Sequence, residues 1–292
     1  MSLRSYYHSA LEKTTKRIFH LAEACGVHIT PANFYSPIPT LADLDESLFS
    51  RLSSLDGINM HDEAQLQLLT QLIKYTKEYL QFGVDAPTRD FPYYVKNGTF
   101  GEIDGDVLYA LVRHLHPKNV IEIGCGWSTR LIDKALVKNE CAGSLVCIDP
   151  YPKPWLLSGE VHIERLIASP IQKVELTVFD SLQSGDILFI DSTHVVKTGS
   201  DVCHEIFNIL PRLKPGVLIH FHDIFMPEEY PKEWLFKNNV FWNETYLLQA
   251  FLMHNDSYQV YWAGNYLKLK YPELLRSSFR GNCAQSFWIE KL

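Results

Sequence analysis

The stretch from Val120 to Leu136 constrains the fold of this chain more than any other. Val120-Ile-Glu-Ile123 is the short, β-branched run that a buried parallel strand requires, and Gly124 and Gly126 end it abruptly. Ser128 to Leu136 then reads as a helix. Strand, Gly-x-Gly turn and helix together bring backbone N–H groups and a positive helix end to the carboxyl edge of a sheet, where a nucleotide-like cofactor can approach closely. The structural alternative is a pair of glycines that serve only a tight turn.

The same alternation continues along the chain. Ser144 to Asp149 reads as a second strand, Val161 to Ala168 as a third, Asp186 to Asp191 as a fourth and Val217 to Asp223 as a fifth. A helix from Ser200 to Leu213, closed by Lys214-Pro-Gly216, separates the last two. Beyond an aromatic, acidic loop from Phe225 to Asn239 come a helix at Glu244 to His254 and two strands, Tyr258 to Ala263 and Ser286 to Glu290. Upstream, apolar residues at helical spacing (Leu11, Ile18, Leu21, Ala22) predict a helix from Leu3 to Ala24, and others predict helices from His61 to Phe82 and Gly105 to His116. Prolines at 31, 37, 39, 87 and 92 make the intervening segments loops. Residues 1–100 therefore read as a helical cap with proline-rich loops over the substrate side of a cleft, and 101–292 as the α/β domain. Phe34 and Tyr35 can wall that cleft or pin their loop to the core.

The composition, 46% hydrophobic and 21% charged over 292 residues, is that of a globular protein with a proper core. A net charge of −7 argues against a general nucleic-acid binder, whose affinity comes largely from Lys and Arg meeting phosphates, and leaves a small molecule as the default partner. The six cysteines, at 25, 125, 141, 147, 203 and 283, show no paired spacing and read as reduced, buried thiols. The amino terminus lacks the apolar stretch of a signal peptide and no run approaches membrane-spanning length, so a cytoplasmic protein with no membrane partner is expected.

Glu122, two residues before Gly124, gives the turn a closer resemblance. It is similar to the glycine-rich motif of class I S-adenosylmethionine-dependent methyltransferases, whose Glu/Asp-x-Gly-x-Gly-x-Gly pattern is met through Gly126, with Ser128 at the place of the third glycine. Asp149, 23 positions after Gly126, can accept hydrogen bonds from ribose hydroxyls, which holds for adenosylmethionine and for NAD alike. The resemblance implies that Ser169 and Gln172, just past the third strand, contact the adenine. It also implies a Rossmann-like, mostly parallel seven-stranded sheet with an antiparallel carboxyl-terminal hairpin, an ending that the NAD-binding fold lacks.

Phe189-Ile-Asp191-Ser-Thr-His194, Leu213-Lys-Pro-Gly216 and His222-Asp-Ile-Phe225, with Phe34-Tyr-Ser-Pro-Ile-Pro39 upstream, narrow the resemblance. They look like methyltransferase family 24, which is similar in its core to the metal-dependent O-methyltransferases of the catechol and cephalosporin-biosynthesis groups. Such relatives hold a divalent ion with an aspartate at the end of strand four and an acidic pair at the end of strand five. Asp191, His222 and Asp223 stand at the matching positions. A mixed His/carboxylate set suits Mn, Fe or Zn better than Mg. His220, two residues earlier on the same strand face, and His194 on strand four extend the expectation to three histidines and two aspartates at one sheet edge.

The expected function is therefore methyl transfer from S-adenosylmethionine to a small-molecule or sugar hydroxyl. Asp191, His194 and His222 are the candidate catalytic residues: either the cluster holds a metal, or His194 or His222 acts as a general base without one. A third reading leaves these residues to cap helices and bond backbone. Tyr151, Trp155, Tyr230, Trp234 and Trp242 are candidate walls of an acceptor pocket or plain packing. The alternatives from other classes are a noncatalytic adenosylmethionine- or nucleotide-binding scaffold and an NAD-dependent oxidoreductase.

Overall fold

The structure is a computed structural model that describes residues 14–15, 17–33, 35–89, 91–140 and 143–292. The expected roles of Leu11, Phe34 and Cys141 lie outside the described residues. The sheet has seven strands: β1 (Asn119–Ile123), β2 (Ser144–Ile148), β3 (Arg165–Ile167), β4 (Ile187–Ile190), β5 (Leu218–Phe221), β6 (Tyr258–Ala263) and β7 (Phe287–Lys291). Their order is β3-β2-β1-β4-β5-β7-β6. Strands β1 to β5 pair parallel, while β7 runs antiparallel to both of its neighbours, β5 and β6. This is the α/β, mostly parallel sheet with an antiparallel carboxyl-terminal pair that the sequence predicts. Two helices, Gly264–Lys270 and Pro272–Ser278, which the sequence pattern did not reveal, fill the link between β6 and β7.

Both faces of the sheet are covered, so its strands are apolar on both sides. Val120, Ile187, Phe189 and Leu218 point into one core, and Ile121, Ile123, Leu188, Ile190, Ile219 and Phe221 into the other. In the first layer Glu122, Phe189, His220 and Trp288 stand in register across four adjacent strands. Against that face pack α1 (Asp62–Leu72), α2 (Glu102–Leu115) and α3 (Trp127–Lys138).

The described residues form two compact units: one comprises those up to Arg51 with Tyr230–Phe241, the other Leu52–Glu229 with Trp242–Leu292. The first contains short helices at Leu41–Asp43, Glu46–Ser50 and Lys232–Phe236, an ion pair between Lys232 and Glu46, and an edge-to-face contact of Phe49 with Phe236. Its residues 17–24 are helical, and Ile18 and Leu21 on that helix are exposed. In the second unit, residues between 52 and 100 share the sheet's core: Leu69, Leu72, Tyr79, Phe82, Phe91, Tyr93 and Phe100 are all buried in it. A boundary between compact units thus falls at 51/52, whereas the sequence suggested one near 100. Among the described cysteines only Cys125 and Cys147 are buried; Cys25 is exposed, Cys203 and Cys283 are half-buried, and all are free thiols.

The first turns of α2 tie the carboxyl-terminal segment to the core. Glu102 accepts from the Cys283 N–H, Asp104 from the Gln285 and Ser286 N–H groups at 2.8 Å, and Asp106 from the Arg280 N–H and Nε–H at 3.0 and 3.1 Å. Asp106 is fully buried, and burial pushes its carboxyl above the ordinary value although Arg280 pulls the other way. Asp106→Ala is expected to destabilise the protein by about 3–5 kcal/mol, because it leaves the largely buried guanidinium of Arg280 without its partner. Urea unfolding at neutral pH measures this, and a change below about 1 kcal/mol counts the pair as a surface-like one.

Candidate active site

The carboxyl ends of β1, β2, β3 and β4 enclose a cavity of about 350 Å³ at the point where the strand order reverses between β1 and β4. Open α/β sheets bind ligands at such a switch point. Gly124, Tyr151, Ser169, Gln172 and Asp191 are among the residues that line it. Gly124 is the glycine that the backbone requires: its φ is +80° and a Cβ there would stand 1.9 Å from the Asp191 carbonyl oxygen. Gly126 has an extended φ, and a Cβ there would meet no atom of the described residues within 4 Å, so that side of the turn is open to a molecule brought against it. Asp149 receives the Cys125 N–H at 3.0 Å and the Tyr151 N–H at 2.7 Å, which fixes its carboxylate between the glycine turn and the cavity's Tyr151. Ser169 and Gln172 both face the cavity, and Gln172 also donates to the Gly199 carbonyl at 3.0 Å.

Glu122 and Ser128 are buried beneath the turn. The Ser128 hydroxyl donates to Glu122 Oε1 at 2.6 Å, the Thr129 hydroxyl accepts from the Gly126 N–H at 3.0 Å, and the Cys147 thiol faces Glu122 Oε2 at 3.7 Å. Burial pushes the Glu122 carboxyl up to about 8, with the Ser128 hydrogen bond opposing. A carboxyl whose folded pKa lies above its unfolded one contributes stability below the unfolded value, and that contribution is lost as pH rises through the folded value. The parent is therefore expected to lose on the order of a few kcal/mol relative to Glu122→Gln between pH 4.5 and 8. Parallel pH-stability curves for the two proteins would show that burial does not hold the Glu122 carboxyl above its ordinary value.

Past the ends of β4 and β5, Asp191, His194, His222 and Asp223 converge. His194 Nε2 lies 3.3 Å from Asp191 Oδ1 and 3.6 Å from Asp223 Oδ2, and His222 Nδ1 lies 3.5 Å from the same two oxygens. One donor atom each of Asp191, His194 and Asp223 lie mutually within 4.8 Å. His194 and Asp223 both adopt left-handed backbone conformations, with φ of +60° and +54°. Such strain in residues other than glycine concentrates at functional sites, where it aims side chains inward. Two neighbours were not read from the sequence: Glu244, whose Oε2 sits 2.8 Å from His194 Nδ1, and Asp104, whose Oδ2 is 3.8 Å from His222 Nε2. Trp242 lies against the His194 ring at 4.3 Å.

The electrostatics of the cluster call for positive charge. Burial opposes ionisation of Asp191, yet His222 and His194 hold its carboxyl well below the ordinary range. Burial likewise disfavours charge on the imidazoles, but Asp191 and Glu244 raise His194 to about 10, and Asp223 and Asp191 raise His222 well above its usual value. His220 does not join them. It is fully buried, stacked on Phe189 at 3.9 Å and packed on Trp288 at 4.8 Å, with Nε2 on the Ser286 hydroxyl at 3.0 Å. Burial pushes its pKa well below the usual value, so it is a neutral core residue. The strand alternation does put it on the same face as His222, but β5 ends at Phe221 and only the residue beyond the sheet reaches the site. Among the candidate aromatics, Tyr151 lines the cavity and Trp155 packs on the Arg130 guanidinium at 4.1 Å. Tyr230 and Trp234 stack on each other in the other compact unit.

Residues 121–224, from β1 to just past β5, match a family described as a methyltransferase domain. Residues 121–224 form a methyltransferase domain. The last two strands of the sheet in sequence, β6 and β7, lie beyond the matched segment. A protein of Archaeoglobus fulgidus, described as uncharacterized, is 27% identical over 195 residues, covering 62% of this chain and 87% of that one. Among solved structures, the SAH-bound methyltransferase PaMTH1 of Podospora anserina is 15% identical at a TM-score of 0.43, over 91% of this chain and 99% of that one. The Mg-SAM form of CmcI is 15% identical at a TM-score of 0.37, over 74% of this chain and 84% of that one. Among the described residues no helix is long and apolar enough to cross a membrane.

Proposed function

We propose that the protein transfers a methyl group from S-adenosylmethionine to the hydroxyl of a small molecule or sugar, with a divalent cation held by Asp191, His194 and Asp223 and adjoined by His222. The observation that carries this reading is that Asp191 belongs to two sites at once. It lines the cavity at the strand ends and, through Oδ1, takes part in the His/carboxylate cluster. A methyl acceptor must present its oxygen in line with the sulfonium, so a cofactor pocket and an activating cluster that share a wall supply the proximity that the reaction needs.

The donor set suits a cation. Ligand atoms about 2.1 Å from one tetrahedral ion lie about 3.4 Å apart, and His194 Nε2 stands 3.3 Å from Asp191 Oδ1 and 3.6 Å from Asp223 Oδ2. A bound divalent ion lowers the pKa of an acceptor hydroxyl and fixes its oxygen. The chain's own residues do the rest. Gly124 and Gly126 admit the cofactor against the turn, Asp149 meets the ribose, and Ser169 and Gln172 border the adenine side. Mixed imidazole and carboxylate ligation favours Mn, Fe or Zn over Mg.

His194 also has the geometry of a general base oriented by a carboxylate, since its Nδ1 is held by Glu244. Chelation separates the two readings. Exhaustive treatment with a chelator is expected to abolish methyl transfer from labelled adenosylmethionine, and Mn(II) or Zn(II) to restore it, with S-adenosylhomocysteine affinity unchanged. Full turnover after chelation overturns the cation and leaves His194 as the base. A protein that binds neither adenosylmethionine nor its demethylated product fails as a methyltransferase and returns the site to a scaffold role.

A further inference from the structure

We infer that Glu244 is the positioning residue that presents His194 Nε2 to the cation, and that it makes His194, rather than His222, the imidazole ligand of the site. The inference rests on the cation reading above. A neutral imidazole donates from one nitrogen and coordinates through the other, and the partner of the donating nitrogen decides which is which. At His194 that choice is locked. Nδ1 donates to Glu244 Oε2 at 2.8 Å, and both side chains are almost fully buried. Nε2 is thereby the nitrogen turned toward Asp191 Oδ1 and Asp223 Oδ2, and a cation that displaces its proton meets its lone pair there.

The backbone makes the lock reciprocal. The Asn243 and Glu244 N–H groups donate to the His194 carbonyl at 3.1 and 3.2 Å, and Asn243 Oδ1 accepts from the Val196 N–H at 2.6 Å. The segment after β4 and the start of the helix Glu244–Leu252 therefore hold each other, and Trp242 covers the imidazole face. His222 has no such device. Its Nε2 is buried with no hydrogen-bond partner among the described residues, and the Asp104 carboxylate stands 3.8 Å away, beyond hydrogen-bond reach.

The test is a Mn(II) titration of the full-length, metal-stripped protein, read by the free-ion EPR signal and by calorimetry. Glu244→Ala is expected to weaken Mn(II) binding by roughly 10- to 100-fold. Glu244→Gln, whose amide oxygen still accepts from Nδ1–H, is expected to recover part of that loss. In a His194→Ala background, Glu244→Ala is expected to add nothing, because its effect runs through the imidazole. S-adenosylhomocysteine affinity should stay within about twofold throughout, which reports an intact fold and cavity. Parent-like Mn(II) affinity in Glu244→Ala, or additive losses in the double variant, overturns the positioning role. A parent protein that binds none of Mn(II), Fe(II) and Zn(II) overturns the cation reading itself, independently of Glu244.

Discussion

Asp223→Asn is expected to lower methyl transfer by on the order of 10²- to 10⁴-fold while leaving cofactor affinity nearly intact. The substitution is chosen for what it preserves. Asp223 sits at a φ of +54°, and Asn is among the few side chains that tolerate the left-handed region, so the strained turn after β5 survives. Volume and hydrogen-bonding reach are also kept, and Asp223 is not among the residues lining the cavity. What disappears is a negative charge 3.6 Å from His194 and 3.5 Å from His222. Removing it weakens the hold on a cation and on a protonated imidazole alike, so the variant loses turnover under either reading of the chemistry. Turnover of a hydroxyl acceptor with labelled adenosylmethionine, beside calorimetry with S-adenosylhomocysteine, measures the two quantities. Parent-level turnover in Asp223→Asn would return the cluster to a structural role. Asp191→Asn, by contrast, should depress both quantities, because that residue borders both sites.

Deleting residues 1–100 is expected to leave no folded protein. Large side chains between 52 and 100, seven of them being Leu69, Leu72, Tyr79, Phe82, Phe91, Tyr93 and Phe100, are buried in the core that covers one sheet face. Burying each contributes about 1.5–3 kcal/mol, so their joint loss is as large as or larger than the roughly 5–15 kcal/mol by which a domain is stable. The fragment 101–292 should be insoluble or lack near-UV ellipticity. A fragment that unfolds cooperatively and binds S-adenosylhomocysteine would make the segment 52–100 a removable cover instead.

The parts of the fold that the sequence revealed are those written in local pattern. The runs Val120–Ile123, Ile187–Ile190 and Leu218–Phe221 are short, mostly apolar and closed by polar residues or glycine, as strands buried on both faces are. The ends of such strands share one edge of a parallel sheet. Asp149, Asp191, His222 and Asp223 could therefore be placed there from their positions alone. The rest depended on contacts between distant segments. Glu244 reaches His194 across 50 positions, and as an acidic residue at a helix start it carries no local mark of that role. His220 obeys the same alternation as His222, and only the point at which β5 stops separates a core residue from a site residue. Glu122 stood out as a motif residue, but its burial under Ser128 follows from how closely α3 packs on β1. The segment 52–100 looked like a cover because its prolines break its helices, whereas burial of its aromatic rings joins it to the sheet.

The place of β7 has a bearing on how this protein can be made. It is the last strand in the sequence, yet it lies between β5 and β6 and supplies hydrogen bonds to both. During synthesis β5 leaves the ribosome with its outer edge unpaired, and β6 follows with no neighbour to join. At about 5–20 residues per second the wait for Phe287–Lys291 lasts several seconds. Throughout that interval an apolar parallel sheet presents an open edge, the state most prone to intermolecular pairing. Closure of the sheet is thus a late event set by the emergence of Phe287–Lys291. A nascent chain stalled before Phe287 should accumulate as a chaperone client rather than as a smaller version of the domain.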